Sequence, residues 1–359
     1  RMPGTYVSQS SQVLPQIKEY QRVATTVINA YVGPLIERYL ADLNTRLEQA
    51  GYAGPLLVML SHGGVAPVEE AIRIAAGTVL SGPAGGVAGA RRVAEMSGIK
   101  DLIPLDMGGT STDISLIVDG AAALASDRQL ANETIALKSL DIVTLGAGGG
   151  SIAAHGGGAL VSVGPHSAGA DPGPASYGRG GTQATVTDAS VILGYLTPQR
   201  FMGGSTALDT AAAERAVGTL AKAVQLDTLS MAAGIHRIVN TQMAEGIRLA
   251  TVRRGVDPRN FTLLGFGGAA GLHVSALARM LNLRRVLVPN MASVMSAWGM
   301  LASELRFEVS RSHVGDTGSL DLQSVEGLYQ DLEAQACARM RAWFDGPITA
   351  TRSADMRYG

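Results

Sequence analysis

The eight residues Asp106-Met107-Gly108-Gly109-Thr110-Ser111-Thr112-Asp113 set a carboxylate, two glycines, a run of hydroxyls and a second carboxylate side by side. Apolar Leu102 to Leu105 precede them and Ile114 to Val118 follow, so the segment reads as strand, tight turn, strand. Such a turn aims several backbone N–H groups at one anion. The hydroxyls of Thr110, Ser111 and Thr112 can donate to phosphate oxygens. Asp106, at the strand end, is placed to hold Mg²⁺ through water, because that ion keeps much of its hydration shell. This is a phosphate-binding turn of a different kind from a Walker loop, whose Gly-Lys-Ser/Thr ending the chain lacks. Asp106, Thr110 and Asp113 are the candidate catalytic residues, and Asp106 the candidate metal ligand.

A second turn, Gly265-Phe266-Gly267-Gly268-Ala269-Ala270-Gly271, follows the apolar run Phe261 to Leu264 and opens a helix. Its backbone amides lie where a flat ring or a ribose can approach closely. A Gly-Gly pair between strands is most often an ordinary hairpin, but a carboxylate, paired glycines, a hydroxyl run and a second Gly-Gly-Ala loop together point to a ligand. The candidate ligand-binding positions are Gly108, Gly109, Thr110, Ser111 and Thr112 with Gly267, Gly268, Ala269 and Gly271. His166 and Asp171, in a Gly/Pro-rich loop, and Asp188 are candidate substrate contacts. Asp188 reads first as a helix N-cap. His62 either faces a cleft or satisfies a loop amide, His155 carries less signal, and His273 reads as a helix-surface residue bordering the second turn. Met291, Met295 and Met300 recur at near-helical spacing and read as core.

Elements of alternating type must position these turns. Residues from about Gln21 to Gln49 carry Val23, Val27, Ile28, Leu35, Ile36, Tyr39, Leu40, Leu43 and Leu47 at helical spacing around Pro34, predicting a long helix or a kinked pair. Leu56 to Leu60 predicts a buried strand, and helices follow over about 68–75 and 83–96. Asp119-Gly120 is a hairpin signal. Residues 146–181 hold so much Gly and Pro that a functional loop system is expected. Helices are predicted over about 188–196, 210–223 and 229–254, the last stopped by Gly255, and a buried strand over 285–288. Strands alternating with helices predict an α/β fold with its ligand at the carboxyl ends of strands.

The composition bounds the partners. The chain has 359 residues, 45 of them Gly, only 4% aromatic residues, and a formal net charge of -1. No basic cluster provides a footprint for nucleic acid or an anionic membrane. No run of about eighteen apolar residues and no leader pattern is present. The single Cys337 excludes an internal disulfide framework and fits a cytoplasmic protein, where it reads as a packed small hydrophobe. The chain opens at Arg1 without an initiator Met and stops at Asp355-Met356-Arg357-Tyr358-Gly359, which reads as the start of a strand and turn, so it is expected to be a central piece of a longer subunit.

The order and separation of the two turns resemble the second phosphate loop and the adenosine loop of the actin-like ATPase superfamily. More specifically, the chain resembles the hydantoinase A/5-oxoprolinase family, which includes ATP-dependent acetone and acetophenone carboxylase subunits. The segments that carry the resemblance are Glu19 to Tyr31, Leu80-Ser81-Gly82-Pro83-Ala84-Gly85-Gly86, the Asp106 turn, Ser167 to Gly178, Thr185-Val186-Thr187-Asp188-Ala189, Arg254 to Phe261 and Ser296-Ala297-Trp298-Gly299. The resemblance implies a ribonuclease-H-like lobe, a mixed sheet flanked by helices, over residues 100–315. Residues 1–99 would then be the tail of a first lobe with connecting helices, and 316–359 a helix and the start of a further region; a single doubly wound domain is the alternative. It implies ATP and Mg²⁺, and ATP-dependent hydrolysis of a cyclic amide of the hydantoin or 5-oxoproline type through phosphorylation of the carbonyl oxygen. The alternatives are a carboxylase subunit or a non-catalytic nucleotide-binding module. A hydantoinase B-type partner subunit, and hence a hetero-oligomer, is also implied. The chain departs from the family in three places: it lacks a first Asp-Gly-Gly-Thr hairpin, it carries Ser176 where Cys is frequent, and Ala154-His155-Gly156 follows Ser151-Ile152-Ala153 where an acidic residue is usual.

Overall fold

Leu102-Ile103-Pro104-Leu105 carries no polar side chain, the pattern of a strand covered on both faces, and it forms the middle of the sheet. The structure, a computed structural model, describes residues 4–17, 19–130, 133–157, 160–354 and 356. The strand and turn expected at 355–359 therefore lie outside the described residues, Met356 excepted. The chain divides into two compact units, one of residues 85–123 and 141–302, the other of 1–84, 124–140 and 303–359.

In the first of these units the strands are β1 (Leu102–Met107), β2 (Thr112–Ser115), β3 (Ile117–Val118), β4 (Ala121–Ala122), β5 (Ile142–Leu145), a separate hairpin of β6 (Ser151–His155) and β7 (Val161–Ser167), then β8 (Thr262–Phe266) and β9 (Arg285–Leu287). The sheet runs β5-β2-β1-β8-β9, with β3 and β4 attached beside β1. β5, β2 and β1 pair antiparallel, whereas β1, β8 and β9 pair parallel. An antiparallel meander continued by parallel strands is the mixed sheet expected of an actin-like lobe, and the antiparallel half sets aside a doubly wound domain. Asp119 and Gly120 both take positive φ, 52° and 82°, in the tight turn between β3 and β4, as the Asp-Gly signal requires.

Helices α1 (Ser81–Ser97), α2 (Val186–Ile192), α3 (Thr210–Ala223), α4 (Thr228–Val252), α5 (Val274–Leu281) and α6 (Met295–Leu301) cover the sheet. Alternate strand residues point to opposite faces. Ile103, Leu105, Met107, Ile114 and Leu263 pack against Ile235, Val239, Met243 and Ile247 of α4. Leu102, Ile117, Leu264 and Phe266 pack against Ala90, Val93 and Ala94 of α1 and Met295 of α6. Each fully buried Leu or Ile contributes about 1.5–3 kcal/mol. A one-residue slip of β1 would exchange its faces and drive Asp106 into the α4 core, so burial sets the register that aims the carboxylate.

Glycines let α1 and α6 cross at backbone contact. A Cβ on Gly85 would lie 2.7 Å from Ser296 O, one on Gly89 would lie 3.0 Å from Met295 O, and one on Gly299 would strike Gly85 O and the Gly89 amide. The crossing carries Ser296 to the end of β1. Two expectations are corrected here. The strand at 285–288 is β9, an edge strand whose Arg285 and Val286 are exposed, because its parallel neighbour covers one side only. The Gly/Pro-rich 146–181 stretch is in part the β6–β7 hairpin, whose short alternation the surrounding glycines hide. Met295 is core, while Met291 and Met300 are half-buried.

The other unit is built on one unbroken helix, Glu19–Gln49, with Pro34 inside it. Of the predicted apolar stripe Leu40 is buried, and the rest of the buried face is Ala24, Thr25, Asn29 and Gly33. Thr25 Oγ1 accepts from the Ala136 amide (3.0 Å). Asn29 donates to Arg73 O (3.2 Å) and accepts from the Ala76 amide (2.9 Å). His62 resolves as a loop satisfier, its Nδ1 accepting from the Gly64 amide (3.1 Å), and burial lowers its pKa to about 4. Cys337 is half-buried on helix Leu322–Arg341.

His273 is wholly buried, not on a helix surface, and stacks on His236 with ring centroids 4.3 Å apart. Asn240 bridges the pair, its Nδ2 lying 3.0 Å from His236 Nδ1 and its Oδ1 2.7 Å from His273 Nδ1. Burial, reinforced by the neighbouring ring, lowers the His273 pKa from 6.5 to about 3, and burial lowers that of His236 too.

Two outcomes follow from these contacts. Gly299→Ala forces two helix backbones apart and is expected to cost about 1–3 kcal/mol, read as a lower midpoint in denaturant with unchanged slope; an unchanged midpoint would place the crossing elsewhere. For the histidines, the folded chain binds fewer protons than the unfolded chain below pH 6.5. Their contribution is therefore complete above about 6.5 and is lost as pH falls toward 4 and 3, by up to about 1.4 kcal/mol per pH unit for each proton. Thermal melts of the protein and of His273→Gln across pH 4–7 should show a shallower acid slope in the variant; identical slopes would leave His273 without a part in it.

Candidate active site

The two glycine turns meet. Asp106 and Phe266 are register partners at the ends of the parallel pair β1 and β8, so both turns leave the sheet at the same carboxyl edge. The Ala269 amide donates to Met107 O (2.9 Å), and the Gly267 amide to Ala292 O (2.8 Å). Gly267 takes φ 84°, and a Cβ there would strike Asp106 Oδ1 and come within 2.5 Å of Met107 O, so only glycine fits against the carboxylate. Gly268 and Gly271 are exposed, Gly267 and Ala269 half-buried, and a short 3₁₀ turn, Ala270–Leu272, leads into α5.

The first turn is held by a third glycine segment. The Gly108 amide closes the turn onto Ser111 O (3.1 Å), while Gly108 O accepts from the Gly149 amide (3.0 Å) and Gly109 O from the Gly150 amide (2.6 Å). A trans peptide points its N–H opposite to its carbonyl. With both carbonyls fixed on 149–150, the N–H groups of Gly109 and Thr110 face the other way, and neither bonds to any described residue. Gly148 must be glycine, since a Cβ would lie 2.7 Å from the Thr110 backbone. The segment is braced in turn by Thr187, whose amide (2.7 Å) and hydroxyl (2.8 Å) both donate to Gly149 O, and by Ser151 Oγ, which accepts from the Gly148 amide (2.8 Å).

Beside this cradle lie the carboxylates. Asp106 and Asp113 are direct cross-strand partners, and Thr144 on β5 donates to Asp113 Oδ1 (2.6 Å). Ser296 Oγ donates to Asp106 Oδ2 (3.0 Å). Burial raises the Asp106 pKa and Asp113 raises it further, while the Ser296 bond opposes both. Two acids pressed together at a sheet edge are relieved by a cation. No group of three or more His, Cys, Asp or Glu able to hold a metal occurs among the described residues. The donor set fits Mg²⁺, which takes one or two carboxylates and fills its remaining positions with water and phosphate oxygens.

The candidates fare differently. Thr110 is exposed and Ser111 half-buried at the turn. Thr112 turns inward: it is fully buried, its hydroxyl donating to Ala147 O (2.5 Å), so it ties the turn to the glycine segment instead of facing a ligand. Asp188 is also buried and engaged. Its Oδ1 accepts from the Ser176 amide (2.8 Å), and its Oδ2 from the Ala175 amide (3.2 Å), the Thr185 amide (3.0 Å) and the Thr185 hydroxyl (2.8 Å). Thr185, not Asp188, is the N-cap of α2, and Asp188 completes the reciprocal capping box. His166 and Asp171 are exposed on either side of Ala168, whose amide bonds Gly150 O (2.9 Å). Sequence reasoning missed Thr187, Ser296 and the part played by Gly148 to Gly150; the Gly146-Ala147-Gly148-Gly149-Gly150-Ser151 run was the available signal, but it names no partner.

Comparison with known proteins agrees with this architecture. Residues 22–309 match the Hydantoinase/oxoprolinase family. The chain is 37% identical to caprolactamase subunit alpha of Pseudomonas jessenii over 99% of its length and 52% of that protein's, and 33% identical to 5-oxoprolinase 1 of Arabidopsis thaliana over 98% and 29%. It thus spans about half the length of the caprolactamase subunit. Among solved structures, the ATP-dependent caprolactamase of Pseudomonas jessenii superposes with TM-score 0.80 at 36% identity, over 96% of this chain and 50% of that one. A nucleotide-free acetone carboxylase superposes with TM-score 0.80 at 26% identity, over 92% and 48%. A family match over most of the chain, with both turns and the sheet that joins them inside it, establishes that this protein belongs to the hydantoinase/oxoprolinase family.

Proposed function

We propose that the chain is the nucleotide-binding part of an enzyme that uses ATP to open a cyclic amide of the hydantoin or 5-oxoproline type. The observation that carries this reading is the convergence of a free pair of N–H groups, a half-buried carboxylate and a second glycine turn at one end of the sheet. The unit of residues 85–123 and 141–302 is then the nucleotide-binding lobe, and the N-terminal segment the tail of a first lobe.

The chemistry begins with an amide carbonyl that water attacks too slowly. Transfer of the γ-phosphoryl group of ATP to the carbonyl oxygen breaks the phosphoanhydride bond, releases ADP and makes the carbon electrophilic. Water then adds to that carbon, the ring C–N bond breaks with its electron pair leaving on nitrogen, which takes up a proton, and a second water cleaves the resulting acyl phosphate to the open-chain acid and inorganic phosphate. The N–H groups of Gly109 and Thr110 stabilise charge on the transferring phosphoryl group, with the Thr110 and Ser111 hydroxyls beside them. Gly267, Gly268, Ala269 and Gly271 present backbone to the nucleoside. Asp106 and Asp113 would hold Mg²⁺ through its hydration shell, and Ser296 orients Asp106. Bound Mg²⁺ supplies charge neutralisation across the phosphates. His166 and Asp171, exposed on either side of Ala168, whose amide bonds the glycine segment that braces the phosphate turn, are the side chains proposed to meet the substrate.

The relatives named as subunits support a second subunit, here proposed to be of the hydantoinase B type. No helix among the described residues is long and apolar enough to cross a membrane. That, with the lone Cys337, supports a cytoplasmic enzyme. The likeness to acetone carboxylase supports a second reading, in which the same phosphoryl transfer activates a ketone or bicarbonate.

Asp106→Asn removes the charge but keeps the acceptor for Ser296. ATP turnover in the complete enzyme is expected to fall on the order of 10³-fold while the melting temperature holds or rises, since a half-buried carboxylate with a raised pKa has been neutralised; unchanged turnover would remove Asp106 from the mechanism. Assaying ATP turnover with and without the partner across hydantoins, 5-oxoproline and small ketones decides the substrate class. Stimulation by ketones alone would replace the hydrolase with the carboxylase.

A further inference from the structure

Asp106, Asp113 and Thr144 are direct register partners on the three adjacent strands β1, β2 and β5. Side chains directly opposite one another across an antiparallel pair lie on the same face, so the three form one row across the sheet. Ser296, on α6, closes the row beyond Asp106 by donating to its Oδ2 (3.0 Å). Thr144 closes it at the other end, its hydroxyl donating to Asp113 Oδ1 (2.6 Å). Two carboxylates thus stand side by side, and each is held from its outer flank by one hydroxyl. What Ser296 does for Asp106, Thr144 is placed to do for Asp113.

Three features set Thr144 apart from an ordinary strand threonine. β5 is the edge strand and Thr144 is exposed, so its hydroxyl has water within reach and yet is given to a carboxylate. Asp is an uncommon strand residue, and like charges directly opposite each other repel, so Asp113 without an outer partner would turn away from Asp106 into solvent. A carboxylate is planar; fixing Oδ1 from outside therefore restricts where Oδ2 can lie. Finally, β5 runs straight into Gly146 to Ser151, the segment whose Gly149 and Gly150 amides hold the carbonyls of the phosphate turn. One stretch of chain sets both the acid and the N–H pair, and the Thr144 bond ties their positions together.

We infer that Thr144 is a positioning residue of the phosphoryl-transfer site, its hydroxyl holding the Asp113 carboxylate in the orientation from which it would face hydrated Mg²⁺. The inference rests on the nucleotide reading of the site. An exposed cross-strand pair at a sheet edge adds little to stability, so the worth of this contact lies in orientation. Hydrogen-bond partners that orient the carboxylates of a metal site change activity or metal affinity by about 10–100-fold when they are lost.

Thr144→Val keeps the branched shape that suits a strand and removes the hydroxyl, whereas Thr144→Ser keeps the hydroxyl. In the complete enzyme, kcat for ATP turnover is expected to fall about 10–100-fold in Thr144→Val, with KM for ATP within about twofold of wild type because the nucleoside contacts are untouched, and with the melting temperature unchanged. Mn²⁺, titrated in the presence of ADP and followed by electron paramagnetic resonance, should bind Thr144→Val about tenfold more weakly or worse, a readout independent of turnover. Thr144→Ser should restore both. Wild-type turnover or wild-type Mn²⁺ affinity in Thr144→Val would overturn the inference. So would a loss that Thr144→Ser shares in full, or one that comes with a lowered melting temperature. Asp106→Asn, assayed alongside, separates the two levels: turnover lost there but kept in Thr144→Val overturns the role of Thr144 alone, whereas turnover kept in both overturns the nucleotide reading with it.

Discussion

The site depends on the fixing of two peptide planes. Gly108 and Gly109 give their carbonyls to the amides of Gly149 and Gly150, and planarity of the peptide then decides where the next two N–H groups point. No side chain would need to be recruited for this turn to receive an anion. What must be recruited is a second stretch of backbone close enough to hold the carbonyls, and that requires Gly148, whose Cβ would collide with the turn. Thr112, Thr187 and Ser151 then serve the cradle from behind. A preorganised donor pair needs no reorientation when charge develops, which is the condition under which backbone dipoles are most effective.

Glycine thus does several physically different jobs in a chain that has 45 of them. At 148–150 it permits backbone to approach backbone at the turn. At 267 it permits both a positive φ and contact with a carboxylate. At 85, 89 and 299 it permits two helices to cross with their main chains touching, which delivers Ser296 to Asp106. The last use is remote in sequence from the chemistry, yet it sets the orientation of the one carboxylate best placed to face a cation. Burial raises the pKa of that carboxylate and the Ser296 bond opposes the rise, so the helix crossing also tunes a charge.

How much of this was legible follows from how local each signal is. The Asp106 turn, the Asp-Gly turn at 119–120, the long helix around Pro34 and the α4 helix, which ends at Val252 just before Gly255, were readable because each is specified by neighbours in sequence. Thr112 and Asp188 show the opposite. Their residue types suit a ligand site, but the partners that engage them, Ala147 O and the Ala175 and Ser176 amides, come from segments whose approach no local pattern reveals. His273 was misplaced for the same reason, because its neighbour in the stack, His236, lies on a different helix. Of the large apolar residues of helix Glu19–Gln49, Leu40 is buried as its spacing suggests, whereas Ala24, Thr25 and Asn29 are buried with Thr25 and Asn29 accepting from the distant Ala136 and Ala76 amides, partners that no local pattern reveals.

The electrostatics of the edge explain why cation and phosphate would be held together and not separately. Asp106 and Asp113 alone are a poor Mg²⁺ site, because a small, strongly hydrated ion gains little from one or two carboxylates, and no larger acidic cluster is present among the described residues. The N–H pair of Gly109 and Thr110 alone carries only partial charges and cannot neutralise a polyphosphate. Held together, a cation and a phosphate would answer both deficits, with Asp106 and Asp113 facing the cation and the Gly109 and Thr110 N–H groups facing the phosphate. Each half of the site is therefore incomplete by design of the sheet edge: the acids sit at the end of β1 and the start of β2, the amides in the turn between them, and neither can be moved without breaking the register that Ile103, Leu105 and Ile114 enforce by burial.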